Sequence, residues 1–382
     1  MNSHKPHILI LPKWYPNITD PQLGIFIENH ANLIAKEFKV SVIYVASDAN
    51  IKERFSIKKT KIGLVDEIRI TYKKVTFFKK LRHLLKYRKA QKIGLAQIKN
   101  TPDLVHVHVP IRPSLLAMNL QKKYGIPYLI TEHWSGHLNE QFIKLPKLYQ
   151  SFYKKTLSKA SLVTAVSEPL AEKLRLLTKS EVQTIPNFIL EPKNVHTKRD
   201  KLNRIRIISV SDLNNTTKNI IGLLRGFKKA LEHNKRLHLS IIGDGPDKDK
   251  IECVAKELKL LDDVSFLGRK TQVEVQDILH DFDFYICNSN VETFGMTVAE
   301  ALIAGKPVIC TRCGGPESFV DTSNGILIET NDIEALCQAI LDMSESFQDY
   351  NQSNISNEIK NKFGSKTVLK HWSKAYQSIL DE

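Results

Sequence analysis

The densest chemistry in this chain lies in Ser289-Asn-Val-Glu292-Thr-Phe-Gly295-Met-Thr-Val-Ala-Glu300. The preceding apolar run, Asp283–Cys287, reads as a strand, and the pattern predicts a helix starting at about Gly295. The first N–H groups of a helix have no partner within it and carry the positive end of its dipole, so this turn is an anion seat. A glycine there lets a phosphate approach the backbone. Glu292 falls just before the helix, and Glu300 falls inside it about a turn and a half on, on a side that can face the same crevice. A carboxylate beside a phosphate seat does not bind phosphate. Its natural partner is a vicinal diol, whose two O–H groups both donate to it. Phosphate and diols together describe a nucleotide-sugar. The plainer alternative is ordinary helix chemistry, because Glu suits a helix start and Ala-Glu-Ala-Leu suits a helix interior. The flanking residues decide between the two.

The elements that must hold these groups run the length of the chain. Apolar runs at His7–Leu11, Val40–Ala46, Leu104–Val109, Tyr128–Thr131, Leu162–Val166 and Val182–Ile185 alternate with helix-period stretches. A second series follows at Arg206–Val210, Leu237–Ile242, Val264–Leu267, Asp283–Cys287, Pro307–Cys310 and Gly325–Ile328. Strand–helix alternation predicts an α/β fold of parallel sheets covered on both faces. Two series of about six, in 382 residues that are 42% hydrophobic, predict two doubly wound domains. In such sheets ligands bind beyond the carboxyl ends of the strands, where most of the polar motifs fall. The polar tract from Glu191 to Arg204 lacks an apolar period and reads as the linker.

Residues 1–190 hold 31 Lys and Arg against 13 Asp and Glu, whereas the remainder is slightly acidic. One half therefore faces an anionic partner. No apolar run reaches membrane-spanning length and no leader is evident, so a cytoplasmic protein is expected. Five cysteines suit a reduced compartment. Cys310-Thr-Arg-Cys313 has the spacing of a metal or redox pair, but no second pair accompanies it and it falls where a turn is needed. No metal is expected.

Glu292-Thr-Phe-Gly295, the seven residues between the two glutamates, Ala304-Gly-Lys-Pro-Val-Ile309 and Gly314-Gly-Pro-Glu317 together resemble the C-terminal signature of family-4 glycosyltransferases. The resemblance extends along the chain. It takes in His7-Ile-Leu-Ile-Leu-Pro-Lys-Trp-Tyr-Pro16 with Pro21-Gln-Leu-Gly24, then Asp103-Leu-Val-His-Val-His108, Thr131-Glu-His-Trp134, Ala165-Val-Ser167 and Ile185-Pro-Asn187. It continues through Ser209-Val-Ser-Asp-Leu213 with Lys218, Ile242-Gly-Asp-Gly-Pro246 and Val264-Ser-Phe-Leu-Gly268.

This resemblance implies the GT-B fold, with two Rossmann-like domains facing a central cleft. The expected domains are 1–190 on the acceptor side and 205–362 for the nucleotide-sugar, joined by linker 191–204. A terminal helix in 363–382 would cross back to the first domain. It further implies a retaining transfer from a UDP- or GDP-sugar to a glycan or lipid-linked acceptor, without a metal or other cofactor, in bacterial surface-polysaccharide assembly. His133 would contact the donor sugar and Glu292 its hydroxyls. Glu300 would accept from the ribose diol. The amides of Phe294, Gly295, Met296 and Thr297, with the charge of Lys218, would hold the diphosphate. Gly24 would let the first-domain loop approach that diphosphate, and the base would stack near Gly268 and Arg269. Glu132 and His137 neighbour His133. His106 and His108, on one strand face, read as lining or packing residues.

The chain departs from the family at Asp212, which stands where an Arg is usual and removes a cation from the phosphate side. Two alternatives share the fold: a nucleotide-sugar epimerase, and a non-catalytic glycan- or membrane-binding relative.

Lys73–Lys92 contains nine Lys and Arg and no acid. Phe77, Leu81, Leu84 and Leu85 fall on one helical face. Either this face docks the helix on the sheet, or Lys79, Lys80, Arg82 and Lys86 seat it on an anionic membrane, peripheral at the inner face. No nucleic-acid-binding module accompanies the patch, and no nucleic-acid partner is expected.

Overall fold

The computed structural model describes residues 5–75, 79–191 and 204–381. Residues 192–203 of the expected linker, together with Phe77 and Phe78, lie outside them. The chain forms two compact units, 1–187 with 368–382, and 188–367.

The first unit is built on eight strands: β1 (His7–Pro12), β2 (Lys39–Asp48), β3 (Phe55–Ile62), β4 (Val65–Lys73), β5 (Leu104–His108), β6 (Tyr128–Glu132), β7 (Leu162–Ala165) and β8 (Val182–Thr184). Their order is β3-β4-β2-β1-β5-β6-β7-β8. β1, β5, β6 and β7 are buried along their whole length, which is why they read as unbroken apolar runs. β3 and β4 were not anticipated. They form an antiparallel hairpin turned at Gly63, so this sheet is not wholly parallel. β3 is mostly exposed and carries Lys58, Lys59 and Lys61, charges that discourage a sheet edge from pairing with another chain. With one face in water, these strands lack the continuous apolar signal of the others.

The last helix, Ser365–Leu380, belongs from Val368 onward to the first unit. Its Trp372 and Tyr376 are buried, and the Tyr376 hydroxyl lies 2.8 Å from Nδ1 of His106. Ser373 donates to the carboxylate of Glu37.

The second unit has six strands, all parallel: β9 (Ile205–Val210), β10 (Leu237–Ile242), β11 (Val264–Gly268), β12 (Phe284–Cys287), β13 (Val308–Thr311) and β14 (Gly325–Ile328). Their order, β11-β10-β9-β12-β13-β14, is the doubly wound arrangement of a Rossmann sheet. Ile207, Leu239, Ile286 and Ile309 from the strands meet Leu224, Phe227, Leu336 and Ile340 from the helices in one core. The winding reverses between β9 and β12, and the loops leaving these two strands are where a ligand site is expected. Among the described residues, no helix is long and apolar enough to cross a membrane.

Candidate active site

The reversal point of the second unit brings together Lys218, from the short helix Asn215–Lys218 after β9, and Glu292, from the loop after β12. Two bonds stitch the loops: Asn290 N donates to Thr217 O at 2.8 Å, and Asn288 Nδ2 to Asn219 O at 3.0 Å. Lys218 Nζ donates to Glu292 Oε1 at 2.6 Å, and Ser289 Oγ donates to the same oxygen at 2.7 Å. Thr311 at the end of β13 donates to the Ser289 carbonyl and fixes the turn from below. Burial opposes the charge on Lys218, but the adjacent carboxylate outweighs it and raises the ammonium to about 12. Burial also pushes the Glu292 carboxyl up, with Lys218 working against that shift.

Gly295 adopts φ 88, a left-handed conformation, and the helix Met296–Ile303 begins directly after it. A Cβ at Gly295 would lie 2.5 Å from Pro316, so the close packing of Gly314-Gly-Pro on this loop requires glycine here. The first bond into the helix runs from Ala299 N to Gly295 O, which leaves the N–H groups of Met296, Thr297 and Val298 without a helical acceptor. The Phe294 side chain is buried against Phe319 and Phe363, so it anchors the loop while its backbone stays at the helix entrance. Thr297 Oγ1 lies 2.7 Å from the Tyr285 hydroxyl, which ties the first helical turn to β12.

Glu300 shares a helical face with Met296 and Thr297 and is only 4% exposed. Gln272 Nε2 donates to its Oε1 at 2.6 Å. Burial raises the carboxyl to about 7, with the bond from Gln272 working the other way. Gln272 begins a helix whose N-cap Thr271 forms a reciprocal capping box with Glu274. Gly268 ends β11 at φ 66 with open space where a Cβ would stand, and Arg269 is exposed beside it. Asp212 is exposed just beyond β9, and its charge is among those that raise Lys218.

In the first unit, Gly24 caps the helix Ile25–Ile34 in the left-handed region, at φ 67. A Cβ there would lie 2.5 Å from Trp14 O, so only glycine permits this close crossing. His133 follows β6 and is 5% exposed, its ring 4.7 Å from that of Phe26. Its Nε2 shares a hydrogen bond with Nδ1 of His108 at 3.0 Å, and His106 bonds Thr131 at 2.6 Å. His106 and His108 are thus buried members of a histidine row, and among the described residues no third group joins them as a metal ligand. Burial lowers His133 to about 4 against the pull of Glu132, and holds His106 and His108 well below their ordinary range. At neutral pH these rings are uncharged hydrogen-bonding groups.

Glu132 sets the turn after β6 by accepting from the backbone N–H groups of His133 and Trp134, both at 2.9 Å, and from the Tyr153 hydroxyl. Burial would raise its pKa, but His137, Tyr153 and the Trp134 amide together bring it to about 2.

Lys79, Lys80, Arg82 and Lys86 all lie on the helix Lys79–Leu95. Arg82 is exposed, and Lys86 reaches the Lys73 carbonyl at 2.8 Å. The helix docks through Tyr87, Ala90 and Gln91, all buried. Of the two roles open to the apolar stripe, docking is not the one Leu81, Leu84 and Leu85 serve, for they are 65%, 36% and 55% exposed.

Within the second unit, Lys218, Glu292, Phe294, Gly295, Met296 and Thr297 come together around one helix entrance, with Glu300 one turn inward. Gly24 and His133 are placed in the first unit. Sequence reasoning missed Gln272, Ser289 and Tyr285, which orient the carboxylates and the helix.

Residues 192–360 match the family described as glycosyl transferases group 1, and residues 24–189 match Glycosyltransferase Family 4. The N-acetyl-alpha-D-glucosaminyl L-malate synthase of Bacillus anthracis is 26% identical over 305 residues, covering 76% of this chain and 78% of that protein. Sucrose-phosphate synthase from Thermosynechococcus elongatus matches the fold with a TM-score of 0.81 at 18% identity, over 99% of each chain. Anabaena HepE, solved in complex with UDP and glucose, matches with a TM-score of 0.74 at 17% identity, over 98% of this chain and 100% of that one. With both units matched in this way, the chain belongs to the family-4 glycosyltransferases of GT-B fold.

Proposed function

We propose that this glycosyltransferase moves a sugar, with retention of configuration, from a UDP- or GDP-linked donor to a glycan acceptor in bacterial surface-polysaccharide assembly. The observation that carries the reading is the helix entrance at Gly295, where three amides have no helical acceptor, Glu292 precedes the helix and Glu300 lies one turn inside it. Amides and Lys218 stabilise the charge that develops on a departing diphosphate. Glu300 accepts from the ribose diol and Glu292 from hydroxyls of the transferred sugar, so the donor is held at both ends. His133, uncharged at neutral pH, orients the sugar without adding a positive charge beside an oxocarbenium-like centre. The base stacks beside Gly268 and Arg269. The diphosphate oxygen takes the acceptor proton as it leaves, so these roles call for no metal.

The complex of HepE with UDP and glucose favours UDP over GDP as the first nucleotide to try. An acceptor held at the inner face of a membrane suits the exposed Leu81, Leu84 and Leu85 beside Arg82. Such a surface attracts both basic and apolar side chains.

A panel of UDP- and GDP-sugars, incubated with and without glycan acceptors, tests the assignment. Nucleotide release that depends on acceptor, with the anomeric configuration kept in the product, is the expected result. Interconversion of the free nucleotide-sugar would make the chain an epimerase, and no turnover with any donor would mark a binding protein that kept the fold.

A further inference from the structure

The spacing of Cys310 and Cys313 offered two thiols and no third ligand. The fold supplies one. Cys287 ends β12 and stands in register opposite Cys310 of β13, its neighbour in the parallel pair. Cys313 lies just beyond β13, and its carbonyl accepts from Glu292 N at 2.8 Å. The three sulfurs lie within 4.8 Å of one another, all three thiols are free, and the residues are 5%, 0% and 5% exposed. Three sulfurs bonded to one zinc ion at about 2.3 Å would stand roughly 3.8–4.0 Å apart, so each has about 1 Å or less to move.

We propose that Cys287, Cys310 and Cys313 form a three-thiolate site for a thiophilic divalent cation, zinc in particular. Binding converts three S–H groups to thiolates and releases three protons, leaving a site of net charge −1. No fourth His, Cys, Asp or Glu atom joins the cluster among the described residues, so water completes the coordination. Lys218 is near enough for its ammonium to feel Cys287, and it balances the added charge. The cation would tie the end of β12 to the loop after β13. These two segments already meet through the Glu292–Gly314 bridge, so occupancy would stiffen the loop that carries Glu292. The site takes part in no step of glycosyl transfer and does not depend on that reading.

The full-length protein, reduced with a phosphine and stripped by a chelator, is titrated with zinc and with cadmium. One ion per chain is expected, with a cadmium–thiolate charge-transfer band in the ultraviolet whose intensity corresponds to three sulfurs. Affinity should tighten as pH rises, because protons leave on binding. Cys313→Ala and Cys287→Ser should each weaken binding by at least the roughly 10- to 100-fold that even outer-shell changes cost. Cys253→Ser, exposed and outside the cluster, should leave it unchanged. Circular dichroism checks that each variant folds. If the cluster variants do not, the band of the unaltered protein decides, and fewer than three sulfurs overturns the proposal. So does the absence of stoichiometric binding, or binding undiminished in folded Cys313→Ala and Cys287→Ser.

Discussion

Lys218 Nζ and Glu292 Oε1 are 2.6 Å apart, and the second unit holds this pair where its winding reverses. The two groups have different proposed partners, the diphosphate for one and the sugar for the other. A pair of this kind is stable without a donor and still presents a cation to a second anion. Glu292→Gln keeps the shape but removes the charge that sugar hydroxyls donate to. Each lost hydrogen bond to a charged group is worth about 1.5–3 kcal/mol, roughly 10- to 150-fold. Transfer rate is expected to fall by that order, with affinity for the free nucleoside diphosphate little altered. His133→Ala should show the same split. Rapid-quench rates beside nucleotide titrations check it, and transfer at the parental rate by either variant would withdraw that residue's role.

Glu300 gives the opposite split. Glu300→Ala is expected to weaken UDP or GDP binding by roughly 10- to 150-fold, because the ribose diol loses its shared acceptor. The carboxyl sits at about 7, and only the carboxylate accepts from both hydroxyls. Affinity of the parent for a nucleotide-sugar, whose diphosphate diester does not titrate in this range, should therefore strengthen as pH rises through 7, while that of Glu300→Gln stays flat. Calorimetric titrations from pH 5.5 to about 8.5 span the change expected for such a group.

The same carboxyl makes a claim about stability. Its folded pKa of about 7 lies above the ordinary 4.5, so the folded state holds the proton more tightly than the unfolded chain. Its contribution is greatest at low pH, declines as pH rises from 4.5 towards 7, and stays lost above that. A shift of this size corresponds to about 3 kcal/mol. Glu300→Gln should match the parent near pH 4.5 and exceed it by up to that amount at pH 8. Urea unfolding at the two pH values measures the difference, and equal stability gaps at both would contradict the burial argument.

Strands buried on both faces were legible, since Ile8–Leu11 or Tyr285–Cys287 must be apolar throughout. The hairpin of β3 and β4 was not, because one side faces water and its lysines resemble a loop. The helix entrance at Gly295 was legible, because the glycine and the glutamates before and after it are close neighbours in the chain. Gln272 is 28 residues from Glu300, and Cys287 is 23 from Cys310. Only the order of strands in the sheet brings such residues together, and nothing in either neighbourhood signals it. The exposed face of Lys79–Leu95 was ambiguous for a related reason: two stripes could dock the helix, and Tyr87 with Ala90 does.

The resemblance sets Asp212 where the family usually carries Arg, and the charge of Asp212 already acts on Lys218. Placed beside a diphosphate, it repels the donor and holds part of the lysine's charge. Asp212→Arg is expected to tighten nucleoside diphosphate binding. The gain should shrink with added salt, because the residue is exposed and screening is strong there. Weaker binding in the variant would show that Asp212 supports the turn between β9 and Lys218 rather than facing the ligand.

The basic helix makes a separable prediction about membranes. Leu81 and Leu85 are exposed beside Arg82, and the edge strand β3 adds Lys58 and Lys59 to the same unit. Each Lys or Arg near an anionic bilayer contributes about 1 kcal/mol, and this attraction decays over a Debye length of about 8 Å at physiological salt. Replacing Lys79, Lys80, Arg82 and Lys86 together with Gln should weaken binding to anionic vesicles and flatten its salt dependence, while activity on a soluble acceptor is kept. Leu81→Ser with Leu85→Ser removes apolar burial instead, worth up to roughly 1.5–3 kcal/mol per leucine. Binding should then fall by a similar factor at every salt concentration. Co-sedimentation with anionic and neutral vesicles distinguishes the two contributions. Equal binding to both vesicle types, or to neither, would return these side chains to the role of an ordinary solvated helix face.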